Sequence, residues 1–175
     1  RTTQLSYLYS GMRNFKVNFS VEMPQVNGST GEHLLVTRQY KPNFTLHTQY
    51  DWAENSHLRI AGIIRSMTYT NTVTSENDDI LGYGVQASTT FDVGSVNLFG
   101  QFTYGKGIGE FFNDLGELNV DLVEDPNNDN KLQALPMMGW YAGVQYNISS
   151  NLFVSGTYSM SRLFSENGYD AIASS

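Results

Sequence analysis

Polar and apolar residues trade places one by one along most of this chain. Residues 14–23 show it most cleanly. Phe15, Val17, Phe19, Val21 and Met23 fall on one face, and Asn14, Lys16, Asn18, Ser20 and Glu22 on the other. Residues 81–92 repeat the pattern, with Leu81, Tyr83, Val85, Ala87 and Phe91 opposed to Gly82, Gly84, Gln86, Ser88, Thr90 and Asp92. Successive side chains of a β-strand point to opposite faces, so this period predicts strands with one greasy and one wet side. Similar runs begin at Leu5, Phe44, Leu58, Val96, Trp140 and Leu152, which makes about eight strands by the alternation rule. Leu8, Ile63 and Phe99 break the rule by placing apolar side chains on the polar face.

Length and spacing sharpen the prediction. Many of the runs reach about 9–13 residues, whereas strands of soluble proteins centre on about 5–6 and a tilted membrane-crossing strand needs about 9–11. The connections alternate between tight and long. Tight ones fall near Gly11, Ala53, Gly94 and Ser149, and long ones cover residues 24–42, 71–78 and 107–130. Outer-membrane barrels have short periplasmic turns on one rim and longer extracellular loops on the other. The expected fold is therefore all-β, an antiparallel transmembrane β-barrel occupying residues 1–175 as one domain, with loops 24–42, 71–78 and 107–130 outside the cell. Hydrocarbon supplies no hydrogen bonds, so a spanning sheet must satisfy its backbone internally and turn its apolar side to lipid. Trp52, Tyr7, Tyr9, Tyr69, Trp140 and Tyr158 lie near strand ends, where aromatics form interfacial girdles or fill a packed core.

Composition removes several classes. Ten basic residues against 17 acidic ones leave a net charge of -7, the opposite of a nucleic-acid footprint. There is no cysteine, hence no disulfide frame and no thiolate metal site. Only 15% of residues are charged, few for a water-facing domain, yet no run approaches the roughly 18 apolar residues of a spanning helix.

Particular segments resemble a known family. "GYGVQASTTFDVGSVNLFGQFTYGKGIGEFFNDL", from Gly82, is similar to the DcaP-like outer-membrane porins, in which a strand pair ends in a "YGxGIG" segment followed by an aromatic and "DL". "RTTQLSYLYS", "FKVNFSVEMP", "LHTQYDWAENSHLRIAGIIRSMTY" and "GWYAGVQYNISSNLFVSGTYSMSRL" resemble strand pairs of the same family in the same order. The resemblance implies a homotrimeric porin in the bacterial outer membrane, with about sixteen strands per barrel and passage of small anions such as dicarboxylates. This chain then reads as an internal segment holding about half such a barrel. Where the family pattern leads one to expect a basic residue after "GIG", this chain has Glu110.

The glycine-rich stretch around Lys106 is no nucleotide loop. A P-loop needs Ser or Thr after its Lys, and here Gly107 follows. Gly105, Gly107 and Gly109 instead permit a sharp exit from the strand. Residues Gly105, Lys106, Gly107, Gly109, Glu110 and Asp114 are accordingly expected in a constriction loop folded over the pore, the alternative being a mobile surface loop. Lys16, Glu22, His47, Asp51, Arg59, Arg65, Gln86 and Asp92 share the polar face and are the expected pore-lining set. Charged rings set selectivity in pores. Arg59 and Arg65 are six residues and roughly 20 Å apart along one strand, which makes them rungs of a basic ladder or lumen charges paired with acidic neighbours.

No catalytic, cofactor or metal site is expected. His47 and Asp51 share a face but sit about 13 Å apart along the strand, beyond hydrogen-bond reach. No Gly-x-Ser-x-Gly elbow occurs. Asp125, Asn127 and Asp129 imitate the start of a calcium loop, but Asn130 and Pro136 stand where its glycine and glutamate belong. The segment holding Glu110, Asp114, Glu117, Asp121, Glu124, Asp125 and Asp129 then reads as a solvated acidic loop, the alternative being a weak calcium site in an extracellular loop. The expected function is a non-enzymatic porin for passive diffusion of small hydrophilic solutes. The competing readings are a channel-less barrel serving as an anchor or ligand-binding protein, and a soluble ligand-binding barrel.

Overall fold

A computed structural model describes residues 3–112, 114–115 and 118–170. Glu117 and residues 171–175 lie outside the described residues. Eight long strands form one antiparallel sheet: β1 (Gln4–Met12), β2 (Phe15–Glu22), β5 (Asn43–Ala53), β6 (Ser56–Asn71), β7 (Glu76–Val93), β8 (Val96–Lys106), β11 (Pro136–Ser149) and β12 (Leu152–Leu163). Each pairs with its neighbour in that order, and the sheet is open, with β1 and β12 at its edges. A short strand β4 (Leu34–Val36) joins the far end of β6. Three others, β3 (Gly28–Ser29), β9 (Leu122–Glu124) and β10 (Leu132–Ala134), make a separate small sheet.

Register carries the two-sidedness of single strands across the whole sheet. Asn18 pairs with His47, His47 with Ala61, Ala61 with Gln86, Gln86 with Thr103 and Thr103 with Gly139. Directly opposed residues point the same way, so one face is predominantly polar, interrupted by Ile63, Met67 and Tyr69 where other residues pack on it. On the other side, Val21, Phe44, Ile64 and Tyr83 form an equally continuous apolar row. That apolar face is uncovered: Leu5 is 78% exposed, Ile64 57% and Val85 54%.

The hairpin turns linking β1–β2, β5–β6, β7–β8 and β11–β12 all lie at one end of the sheet and are two residues long. Asn14, Asn55 and Gly94 adopt positive φ there (63°, 59° and 61°), a conformation that Asn and Gly tolerate best. The opposite end carries the segment between β2 and β5, the β6–β7 turn and the segment between β8 and β11. The second of these differs from the expected 71–78 loop. β6 and β7 continue to Asn71 and from Glu76, leaving a turn of residues 72–75. Pairing persists because Thr68 and Thr70 hydroxyls donate to Asp79 and Asn77 across the strands, at 2.6 Å each.

Among the described residues the buried core lies on the polar face of the large sheet, partly under the small sheet and β4 and partly under the segment that follows β8. Met67 and Tyr69 of β6 pack with Leu34, Leu122, Leu132 and Ala134, and Ile108, Leu115 and Val120 pack with Met137.

Candidate functional site

The site is the polar face and the segment lying on it. Towards the tight-turn end the wall charges pair with one another. Lys16 Nζ meets Asp51 Oδ2 at 2.7 Å, and Gln49 donates to the same carboxylate at 2.7 Å. Arg59 Nη2 approaches His47 Nδ1 at 3.2 Å. His47 therefore turns to Arg59, and Asp51 to Lys16. Glu22 accepts from the Thr45 hydroxyl at 3.2 Å. Asp92, near the β7–β8 turn, receives the side-chain amide of Asn97, and its own backbone N–H donates to Ser56 Oγ at 3.0 Å. Gln86 sits on the same face beside Ala61 and Thr103.

Arg65 behaves differently. It is 1% exposed although it stands on the polar side of β6. Its Nη1 donates to the Gly107 carbonyl at 3.0 Å, and its Nη2 to the Gln25 carbonyl. Asp121 Oδ1 lies 3.6 Å from Nη1, and Glu110 Oε1 3.7 Å from Nη2. The Phe111 ring centroid is 5.4 Å from its Cζ, a cation–π distance. Arg65 thus ties the wall both to the segment after β2 and to the segment after β8.

The glycines make this return possible. Gly107 has φ of 63°, and its N–H donates to Leu135 O at 3.1 Å, closing the base of the excursion. At Gly105 an added Cβ would collide with the Tyr83 carbonyl and Gly84 Cα. A 3-10 turn, Gly109–Phe111, follows. Its Glu110 N–H points to Asp121 Oδ1 at 3.4 Å, while Asp121 Oδ2 accepts from Asn27 N at 3.1 Å. Burial pushes the Glu110 carboxyl up to about 7, with nearby Asp121 and Glu22 adding to the rise and Arg65 opposing it. Asp114 reaches β12 at the edge of the sheet, on the same face, and accepts from Ser161 Oγ at 3.2 Å. Lys106, the last residue of β8, pairs with Glu166 beyond β12.

Between wall and segment a cavity of about 330 Å³ remains open. Glu22, His47, Arg59 and Gln86 line it from the wall, and Ile108 and Phe111 from the returning segment. Sequence reasoning missed Gln25, Ile108, Phe111 and Asp121 as site residues. Gln25 acts through its backbone carbonyl, which has no sequence signal. Asp121 stood among other acidic residues, with only its apolar neighbours Val120 and Leu122 to hint at burial. Among the described residues no group of His, Asp and Glu is placed to hold a metal.

No protein-family model matches the chain, and no curated protein matches it. Among solved structures it is similar to the crystal structure of the outer membrane channel DcaP of Acinetobacter baumannii, at a TM-score of 0.69 and 20% identity. The alignment covers 94% of this chain and 44% of that one, so the chain spans less than half the length of that channel. At that identity the likeness is one of fold: the chain folds as an antiparallel strand array of the DcaP-like porin type.

Proposed function

We propose that this chain forms part of the wall of an outer-membrane porin. It supports passive diffusion of small hydrophilic solutes, small anions such as dicarboxylates among them. One observation carries the reading: a continuous apolar face is left bare while the opposite, polar face is partly roofed by the chain's own segment. A soluble barrel would bury that apolar face instead. Exposed apolar surface on this scale marks contact with a membrane or a partner. The fold likeness to a protein described as an outer membrane channel supports the same assignment.

On this reading the apolar side meets outer-membrane lipid. Lys16, Glu22, His47, Asp51, Arg59, Gln86 and Asp92 face water in the lumen. Residues 107–135, rooted at Gly105, Lys106, Gly107 and Gly109 and carrying Glu110 and Asp114, narrow it. The long end faces the cell exterior. The open edges of β1 and β12 cannot stand in hydrocarbon with their backbone groups unpaired, so further strands complete the barrel. A homotrimer is the proposed assembly, and it would cover part of the bare apolar belt.

Conductance tests the reading. The full-length protein in a planar bilayer is expected to give stepwise ion currents. A correctly folded protein that inserts but passes no current would favour the channel-less anchor.

A further inference from the structure

The cavity under residues 108–111 is charged at two ends with opposite sign. Glu22 supplies a carboxylate at one end, and Glu110, whose Oε2 has no hydrogen-bond partner among the described residues, lies near enough to feel its charge. Arg59 supplies a guanidinium at the other end, and its buried Nε likewise has no hydrogen-bond partner among the described residues. Arg65 does not add to the cationic end, because its charge is engaged by Asp121, Glu110 and two backbone carbonyls. Between the poles Ile63, Ile108 and Phe111 supply an apolar patch over the small floor of Gly62 and Gly84, with Ser20, Thr45, His47 and Gln86 as polar neighbours along the wall. Glu22 pairs with Asn43, and Arg59 with Gln49, six positions further along β5. The two carriers are therefore roughly 20 Å apart along the wall at their backbones, with long side chains reaching into the shared space.

We propose that this cavity is a binding subsite for short zwitterionic peptides with small apolar side chains, the terminal ammonium held at Glu22 and the terminal carboxylate at Arg59. The proposal rests on the channel reading and names a solute class for it. A volume of about 330 Å³ lies within the range of small-ligand sites. An extended solute suits the separation of the poles better than a free amino acid does. A diacid that diffuses through the lumen gains no second partner at this subsite, because one of its carboxylates would face Glu22, and like charges repel. A solute with opposite charges at its ends meets a complementary group at each.

Three probes of one shape test this: trialanine, N-acetyl-trialanine, which keeps only the carboxylate, and trialanine amide, which keeps only the ammonium. Binding is measured calorimetrically on the full-length protein in detergent. Trialanine is expected to bind about 10-fold or more tighter than either derivative, the scale of one charged hydrogen bond. Glu22→Gln should remove that advantage over N-acetyl-trialanine, and Arg59→Gln the advantage over trialanine amide. Equal affinity for trialanine and N-acetyl-trialanine, or a trialanine affinity indifferent to both substitutions, overturns the proposal. Ion conductance of the same preparation separates the two readings. Current without peptide discrimination sinks the subsite alone, and discrimination without current sinks the channel alone.

Discussion

A guanidinium placed under a roof of protein has five N–H donors to satisfy and no way to shed its charge. Arg65 meets this with two carbonyls, two carboxylates and an aromatic ring, drawn from residues before β3 and after β8. Removing one member of a buried pair strands the other, at a cost of about 3–5 kcal/mol. Arg65→Met should therefore undock residues 107–135, seen as new protease cleavage within them. Unchanged cleavage would mean that Ile108 and Leu115 hold the segment by packing alone. Glu110 adds a pH dependence. Its carboxyl is raised to about 7 when docked, from 4.5, so the docked form binds its proton more readily than the released form does. Docking then has its full proton-linked stability below about pH 4.5 and loses it as pH rises through about 7. Cleavage should increase from pH 5 to pH 8, and Glu110→Gln should flatten that profile; an equally steep profile in the variant would assign the effect to another group. None of this was visible in the alternation around Arg65, which marks the residue only as facing the polar side. Its partners come from positions 40 to 56 residues away and share no local pattern with it. Ile63, Met67 and Tyr69 gave the clue: apolar residues on the same face of β6 as Arg65, explained by the segments that pack against them.

At the scale of the strand, the two-residue period was enough to place the eight long strands and four tight turns, because a bare apolar face and a mostly polar one impose contrast along most of each strand. It failed where the contrast ends. Beyond Ile64 and Leu81 the apolar side of the β6–β7 hairpin turns polar, with Ser66, Thr68 and Thr70 beside Asp79 and Asn77. Pairing continues there with the outer side polar and the other side, Met67, Tyr69 and Ile80, packed under the small sheet, so alternation could not locate the turn. The apolar row of β7 from Leu81 to Phe91 runs about 34 Å along the strand, or about 24 Å if tilted by 45°, close to the apolar band of an outer-membrane barrel. Val85 lies near its middle. Val85→Lys should destabilise the folded protein in lipid vesicles by about 2–4 kcal/mol in urea titrations. Gln86→Lys, one residue on and facing the other way, should leave stability near that of the parent. Equal costs at both positions would mean that the two faces do not differ in solvent.

For the whole molecule, sidedness organises everything else: the bare belt, the roofed polar wall, and loops sorted to one end. The chain has no cysteine, so single cysteines can be introduced one at a time without background. Spin labels at Val85, Gln86, Ala87, Ser88, Thr90 and Phe91 in the bilayer-reconstituted protein report the surroundings of each side chain. The account predicts collision with lipid-soluble oxygen at 85, 87 and 91 and with a water-soluble nickel complex at 86, 88 and 90. The reverse phase, or no alternation between neighbours, would contradict it.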